Sequence, residues 1–208
     1  MLPFSDLLFF AVAAFGLVIS PGPNMIYLIS RTITQGRRAG LISLAGVICG
    51  FLFHILLVSF GLTTLLFAVP FAYAVLKFTG VLYLLYLAWQ ALRSDSPFET
   101  KDLPKDHPGK LFRMGFFTNV LNPKVTFFYL SFFPQFVKPE LDNILLQNLL
   151  LGLMQVSISF SVNVIIVLTA TRFALFFNKN PRRIRVQKWF MASILTGLAA
   201  KLALDKAK

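Results

Sequence analysis

The chain has 208 residues, of which 57% are hydrophobic and only 13% are charged, and its formal net charge is +12. A soluble domain usually carries about a quarter charged residues, so this composition excludes an ordinary soluble protein and favours one integral membrane domain. The net charge does not indicate nucleic-acid binding, because the Lys and Arg residues lie between apolar segments and form no groove-reading motif. The positive charge instead indicates basic loops that set the orientation of membrane spans and that attract the head groups of anionic lipids.

The first apolar segment, residues 4–30, is interrupted by the sequence Ser20-Pro21-Gly22-Pro23-Asn24. The segment lacks a basic N-terminal region and is therefore expected to be a retained span rather than a secretory signal. Each proline lacks an N–H group and clashes with the preceding turn, so one regular helix cannot run through these residues. Backbone that is released in this way at membrane depth must face protein or water, because lipid offers no hydrogen bonds.

Five further spans are predicted after the first. Residues 41–90 are too long for one span of ~20 residues, and Pro70 is the expected break between the second and third spans. A charged, proline-containing linker over about 94–112 divides the chain near its middle. The fourth span is expected at 114–137, the fifth at 144–171 and the sixth, after a basic turn over 178–188, at 189–204. This pattern predicts an all-α integral membrane protein with six transmembrane helices.

The distribution of basic residues predicts the orientation of the spans. The loops after the first, third and fifth spans are rich in Lys and Arg, whereas the loops after the second and fourth offer only Lys138. Cytoplasmic loops carry the excess of basic residues, so the odd-numbered loops are expected in the cytoplasm and both termini outside. Trp89 and Trp189 fall at the cytoplasmic ends of their spans, as an aromatic belt would place them.

A second interruption, Asn122-Pro123-Lys124, lies in the fourth span. With three spans in each half, about 1–93 and about 113–208 of a single domain, the two halves insert with opposite orientation. Helices 1 and 4, the first of each half, are then both interrupted by prolines. Broken helices at corresponding positions of two inverted halves point to a central transporter site, and two ordinary proline kinks are the alternative.

Short motifs follow one another along the chain in an order that resembles a known family. They are Ser20-Pro21-Gly22-Pro23-Asn24, Gln35-Gly36-Arg37-Arg38-Ala39-Gly40, Leu76-Lys77-Phe78-Thr79-Gly80 with Tyr83-Leu84, Asn119-Val120-Leu121-Asn122-Pro123-Lys124, and Phe133-Pro134-Gln135-Phe136. Together they resemble the LysE/RhtB-type amino-acid exporters, small six-helix carriers of the bacterial inner membrane. The resemblance implies export of an amino acid such as lysine, arginine, threonine, homoserine or leucine, and it does not choose among them. Many relatives carry Asp where this chain has Asn24, so the resemblance does not extend a carboxylate role to that position.

Lys124 is the candidate anion-binding residue. The eight acidic residues lie at span ends or in loops, whereas Lys124 lies about eleven residues beyond Arg113, which at ~1.5 Å each is near mid-membrane. An ionised Lys at that depth costs about 2.5–3.5 kcal/mol on insertion scales, so it should face a cavity or a partner. A substrate carboxylate would serve as that partner.

The helix that restarts after Pro21 adds to this expectation, because its first N–H groups and its positive dipole end form an anion site. Ser20 could instead simply cap that helix with Pro21 at its first position. Amide groups suited to the carboxylate and ammonium of a zwitterion are supplied by Asn24, Asn119 and Asn122. The alternative is that these amides only hydrogen-bond to backbone groups left unpaired by the helix breaks, and this alternative is favoured for Asn119. The predicted substrate-binding residues are Ser20, Pro21, Gly22, Pro23, Asn24, Asn119, Asn122, Pro123 and Lys124.

Four further polar residues are candidates for coupling or for lining the pathway. His54, near the middle of the second span, is the intramembrane side chain suited to a proton relay, and a helix–helix hydrogen bond is its structural alternative. Lys77 is expected close enough to the outer membrane surface for its ammonium to reach water there. A structural role and a role in transport therefore both stay open for this residue. Gln155 and Asn163 make part of the fifth span polar, and they either line the pathway or join helices.

The sequence therefore predicts a secondary transporter that exports a small neutral amino acid, leucine-, threonine- or homoserine-like, from the cytoplasm. Coupling to the proton gradient is implied by the family resemblance. The alternatives are export of a basic amino acid or another small solute, and, more remotely, a non-catalytic membrane scaffold. No enzyme, cofactor or metal site is predicted, because one cysteine and two histidines form no catalytic or metal constellation. The expected partners are the amino acid and membrane lipids, with a homo-oligomer left open.

Overall fold

The computed structural model describes residues 2–62, 70–93, 105–141, 143–178 and 181–204, and every regular element in these ranges is helical. The helices are α1 (Phe4–Ile19), α2 (Pro23–Gln35), α3 (Arg37–Leu57), α4 (Pro70–Arg93), α5 (Pro108–Val120), α6 (Pro123–Phe127), α7 (Ile144–Asn178) and α8 (Pro181–Leu204). Helix α3 ends in a π-helical turn, Val58–Leu62, and α6 continues through a π-helical turn, Phe128–Phe132, and a 3-10 turn, Phe133–Phe136.

Both predicted helix interruptions are confirmed. Helix α1 ends at Ile19, and α2 begins at Pro23 with its axis bent by 51° from that of α1. Helix α5 ends at Val120, and α6 begins at Pro123 with Asn122 as its N-cap. In each case a proline occupies the first helical turn, where its missing N–H leaves no hydrogen bond unmade.

The apolar lengths support part of the predicted membrane topology. In the described ranges Arg37–Phe60 and Ile144–Ala170 are each long and apolar enough to cross a membrane, and α1 with α2 adds a third span if the bent pair is counted as one. Within the described ranges the predicted all-helical fold is confirmed, whereas six spans in two inverted halves stay a prediction.

Two predicted boundaries are wrong and one lies partly outside the described ranges. Helix α7 extends to Asn178 and α8 already begins at Pro181, so most of the predicted basic turn over 178–188 is helical. Proline at a first helical turn starts α8, and this local effect prevails over the charge pattern. Pro70 is the first residue of α4, which agrees with a break between the second and third spans at this proline. Residues 63–69, before this break, and 94–104, in the predicted linker, lie outside the described residues.

Helices α3 and α5 pack backbone to backbone, which fixes the position of the second break. A Cβ atom at Gly46 would collide with the carbonyl oxygen of Phe112, and one at Gly115 would collide with that of Ser43. Small residues allow such close approach between membrane helices. Helix α7 packs against α1, α2 and α3, and α4 packs along α8.

A phenylalanine cluster joins α1 to the segment after the second break. The ring of Phe10 lies 5.9 Å from Phe128, 5.6 Å from Phe133 and 5.1 Å from Phe136, centroid to centroid. These rings are all buried. The cluster holds the two interrupted segments against each other and so brings the breaks together.

Candidate functional site

The two helix breaks meet in the interior of the protein. Asn122 Nδ2 donates a 3.1 Å hydrogen bond to Asn24 Oδ1, and Lys124 Nζ donates to the carbonyl oxygens of Ser20 at 2.6 Å and Leu17 at 3.1 Å. Each bond joins the α1–α2 break to the α5–α6 break, and all five residues are buried. The structure therefore brings together the two motifs that the sequence singled out.

Lys124 lies at the centre of this junction with only 8% of its surface exposed. The carbonyls that it binds belong to the last turn of α1, where the negative end of the helix dipole favours a cation. Gly22 permits this approach, because a Cβ atom at that position would lie 2.9 Å from Lys124 Nζ. No carboxylate within the described ranges forms an ion pair with Lys124.

Ser20 does not cap the restarted helix. It is the C-cap of α1, and its backbone carbonyl faces Lys124, while Gly22 is the N-cap of α2 and Pro23 its first residue. The structural alternative of a Ser20 cap with Pro21 at the first position is therefore wrong. Because glycine has no side chain, no side-chain oxygen at the cap position accepts from the first N–H groups of α2.

Asn122 is a positioning residue whose amide forms hydrogen bonds through both its oxygen and its nitrogen. Its Oδ1 accepts a 3.0 Å hydrogen bond from the backbone N–H of Lys124, which caps α6, and its Nδ2 donates to Asn24. Pro123 follows it as the first residue of α6. The amide thus fixes the start of the helix that carries Lys124.

The side chain of Asn119 does not satisfy broken backbone, contrary to the favoured expectation. Its backbone carbonyl accepts from the N–H of Asn122 at 3.0 Å, whereas neither atom of its fully buried side-chain amide has a partner among the described residues. The amide packs on Gly50, where a Cβ atom would lie 2.7 Å from Asn119 Oδ1.

His54 and Gln155 belong to one buried polar cluster together with a residue that the sequence did not reveal, Tyr129. The His54 ring stacks on Tyr129 at 5.1 Å with an interplanar angle of 10°, and it is hydrogen-bonded to the backbone of Asn119. The hydroxyl of Tyr129 donates to Gln155 Oε1 at 2.8 Å. Nothing in the phenylalanine-rich sequence around Tyr129 distinguishes this residue from its apolar neighbours.

The other two pathway candidates are not brought into this cluster. Asn163 Nδ2 donates to Ser159 of the same helix, both to its carbonyl at 2.8 Å and to its hydroxyl at 3.1 Å. Its amide nitrogen is therefore occupied within α7. The side chain of Lys77 lies outside the described residues.

Comparison with known proteins gives the family. The model of the LysE type translocator family matches residues 15–206. The chain belongs to the LysE type translocator family. The homoserine/homoserine lactone efflux proteins of Salmonella typhimurium and Salmonella typhi are each 31% identical to it over 188 residues, which cover 90% of this chain and 90% of the relative. No solved structure matches the chain.

This membership confirms the resemblance carried by the motifs and identifies a membrane translocator of an efflux family. Such a protein works as a transporter. In the described part of the translocator, no group of three or more His, Cys, Asp or Glu residues could hold a metal ion.

Two ion pairs of the translocator join the same interrupted segments on either side of the breaks. Asp106, just before α5, binds Arg31 of α2 at 2.5 Å and Lys110 at 2.6 Å, and it exchanges two hydrogen bonds with Gln35. The hydrogen bonds from Lys110 and Gln35 and the charge of Arg31 hold the pKa of Asp106 below its usual range.

The second ion pair joins Asp6, near the start of α1, to Lys138, which follows the 3-10 turn, at 2.5 Å. The sequence motifs did not indicate either ion pair. A signal was available, because Asp6 and Asp106, Pro23 and Pro123, and Gln35 and Gln135 are each one hundred positions apart. Aligning the two halves at the prolines also aligns the two acidic residues.

Proposed function

We propose that the protein is a secondary transporter that exports a small neutral amino acid across the bacterial inner membrane. In this proposal Lys124 and the start of α2 bind the carboxylate of the substrate. The observation that carries the proposal is the buried ammonium of Lys124 at the junction of two helix breaks, with no carboxylate of the described residues paired to it.

The hydrogen bonds of Lys124 leave room for an anionic ligand. An ammonium group has three donors, and the structure gives this one two acceptors, the carbonyls of Leu17 and Ser20. Carbonyl dipoles offset only part of the cost of burying a charge, which is several kcal/mol for an isolated ion. A substrate carboxylate would supply both the third acceptor and the missing negative charge.

The start of α2 supports the same ligand. Helix N-termini bind anions through free N–H groups and the positive end of the dipole, and α2 begins at Pro23 without a side-chain cap. Gly22, the residue before it, lies against the Lys124 ammonium. Two positive features therefore converge on one position, and Asn24 and Asn122 hold the two segments in register.

A neutral substrate is favoured over a basic one. The buried polar side chains within the described ranges include Ser, Thr, Asn, Gln, His and Lys, and none is Asp or Glu. A substrate with a cationic side chain would therefore lack a buried counter-charge, which would make its binding costly. The efflux relatives are named for homoserine, which is neutral apart from its zwitterionic backbone.

Alternating access in this proposal uses the two ion pairs as contacts on opposite faces of the membrane. Asp6–Lys138 and Arg31–Asp106 each tie one interrupted segment to the other, with the breaks between them. A layout of six spans in inverted halves, with both termini outside, would put the Arg31–Asp106 contact at the cytoplasmic face. Rocking of the halves would then open one contact while the other stays closed, and coupling to protons would follow the family resemblance.

The test is a flux assay with purified protein in liposomes and a panel of labelled amino acids. Wild-type protein should transport small neutral amino acids, and Lys124→Met should abolish this flux, whereas Lys105→Met, which removes an exposed lysine, should not. Thermal unfolding of each variant reports whether it folds. Amino-acid amides, which lack the carboxylate, should fail to compete in the wild type. Undiminished flux through Lys124→Met, or competition by the amides, would overturn the site assignment.

A further inference from the structure

A buried polar cluster lies beside the second helix break, formed by His54 of α3, Asn119 of α5, Tyr129 of the π-helical turn after α6, and Gln155 of α7. Asn119 and Gln155 are fully buried, and His54 and Tyr129 are at most 5% exposed. Four side-chain atoms in the cluster have no partner among the described residues, namely His54 Nε2, Asn119 Oδ1, Asn119 Nδ2 and Gln155 Nε2.

Such a concentration of unpaired polar atoms is unusual in a protein interior. Each buried polar group without a partner costs about 1–3 kcal/mol, and nearly all such groups in native structures are paired. In a membrane protein, amide and imidazole groups normally hydrogen-bond across helices. The cluster therefore has hydrogen-bonding capacity that no other described residue uses.

The cluster is also held rigidly. Tyr129 occupies Oε1 of Gln155 and stacks on the His54 ring, which leaves Nε2 of Gln155 as a donor. The Asn119 amide is confined by Gly50, which lies one helical turn before His54 on α3. Fixed orientations of this kind are what a binding site requires of the residues that contact a ligand.

The cluster adjoins the carboxylate site of the proposed function. The backbone carbonyl of Asn119 accepts from Asn122, which caps the helix that carries Lys124. Tyr129 follows Lys124 by five residues in a continuous helical segment, a rise of roughly 7 Å along the axis. Lys124 and the polar cluster are therefore carried by neighbouring parts of one segment.

We propose that His54, Asn119 and Gln155 form a second subsite, which binds an uncharged hydroxyl group on the side chain of the transported amino acid. This inference rests on the proposed function and names its substrate class. A hydroxyl both donates and accepts, which matches a cluster that offers both donors and an amide acceptor. An aliphatic side chain of the same size would leave the buried polar atoms unpaired, and an ammonium would find no carboxylate among the described residues.

The subsite predicts discrimination between substrates of equal shape. Sites built to hydrogen-bond a substrate hydroxyl reject the analogue that lacks it far more strongly than an apolar pocket distinguishes one methylene group. The wild-type protein should therefore transport L-threonine in preference to L-valine, and L-homoserine in preference to L-norvaline, by at least about tenfold. Each pair differs in one hydroxyl at nearly constant volume.

The experiment measures both flux ratios in proteoliposomes for the wild type and for Asn119→Leu, Gln155→Met and His54→Phe. Each variant should bring the hydroxyl-to-aliphatic ratio toward one, mainly by lowering flux of the hydroxylated member. The matched control is Ser157→Ala, which removes an exposed hydroxyl from the same helix as Gln155 and should leave both ratios unchanged.

The wild-type ratios keep the proposal testable even if a variant does not fold. Equal transport of threonine and valine by the wild type, or variants that lower both members of a pair equally, would overturn the subsite while leaving the carboxylate site intact. Failure of the wild type to transport any amino acid would overturn the proposed function instead.

Discussion

Asn122 donates its side-chain amide to Asn24 over 3.1 Å, and this buried hydrogen bond joins two helix starts that are 98 residues apart in the chain. The same Asn122 side chain caps α6 by accepting from the N–H of Lys124. One amide thus sets both the start of a helix and its distance from the other break. The position of the Lys124 ammonium depends on both contacts.

We expect Asn122→Ala to destabilise the protein by about 1–3 kcal/mol, because it removes a helix cap and leaves the Asn24 amide without its buried partner. Asn24→Ala should cost less, since the cap of α6 stays. Thermal unfolding in a fixed detergent measures both values, and the double variant should show a coupling energy of at least about 0.5 kcal/mol. Strict additivity of the two single changes would contradict the contact.

Gly22→Ala is expected to displace Lys124. The added methyl group would lie 2.9 Å from Nζ and 3.1 Å from Cε, so the end of the Lys124 side chain must shift, which disturbs its hydrogen bonds to the carbonyls of Leu17 and Ser20. We expect amino-acid flux to fall at least about tenfold, which corresponds to ~1.4 kcal/mol. Gly197→Ala is the matched control, because a Cβ atom there meets nothing within 4 Å. Equal flux through both variants would show that the approach of Lys124 to Gly22 has no role in transport.

Local chemistry made the helix breaks predictable, but it could not reveal the partners of Lys124. Proline acts on its own turn, so Pro23 and Pro123 located both breaks from sequence alone. The carbonyls of Leu17 and Ser20 accept from Lys124 only because α1 ends where it does and α5–α6 packs against that end. Contacts of this kind arise from tertiary packing, which no motif records.

The buried cluster was predictable only in part for the same reason. His54 and Gln155 were identifiable as polar residues in apolar spans, whereas Tyr129 lies among phenylalanines that share its ring. Its stacking on His54 and its bond to Gln155 depend on the π-helical turn that follows α6. A regular helical periodicity would have given Tyr129 a different direction.

Acidification is expected to weaken the contacts of Asp106 with Arg31, Lys110 and Gln35. Its pKa lies below the usual range, so its ionised form stabilises the fold at pH values above the unfolded pKa of about 3.9. This contribution is lost as pH falls through the lower folded pKa. Asp106→Asn should therefore unfold at a lower temperature than the wild type at pH 7, with the difference shrinking below about pH 4.

The measurement is thermal unfolding of both proteins in the same detergent between pH 7 and pH 3. Arg31→Gln serves as the comparison, because it removes the cation instead of the titrating group. A difference between wild type and Asp106→Asn that stays constant over the whole range would contradict the role of the ionised carboxylate.

The Asp6–Lys138 pair is expected to respond to charge reversal in a way that reveals contact between the two interrupted segments. Both side chains are partly exposed, at 32% and 25%, so the pair itself contributes only about 0.2–1 kcal/mol. Asp6→Lys and Lys138→Glu each place like charges at a contact where the native pair is 2.5 Å apart, and the repulsion should lower flux several-fold by holding that end open. The double variant Asp6→Lys with Lys138→Glu restores attraction and should recover most of the flux.

High salt should reduce the defect of the single variants, because it screens exposed charges. A double variant as defective as the sum of its single changes would show that the two segments do not meet through this pair during transport.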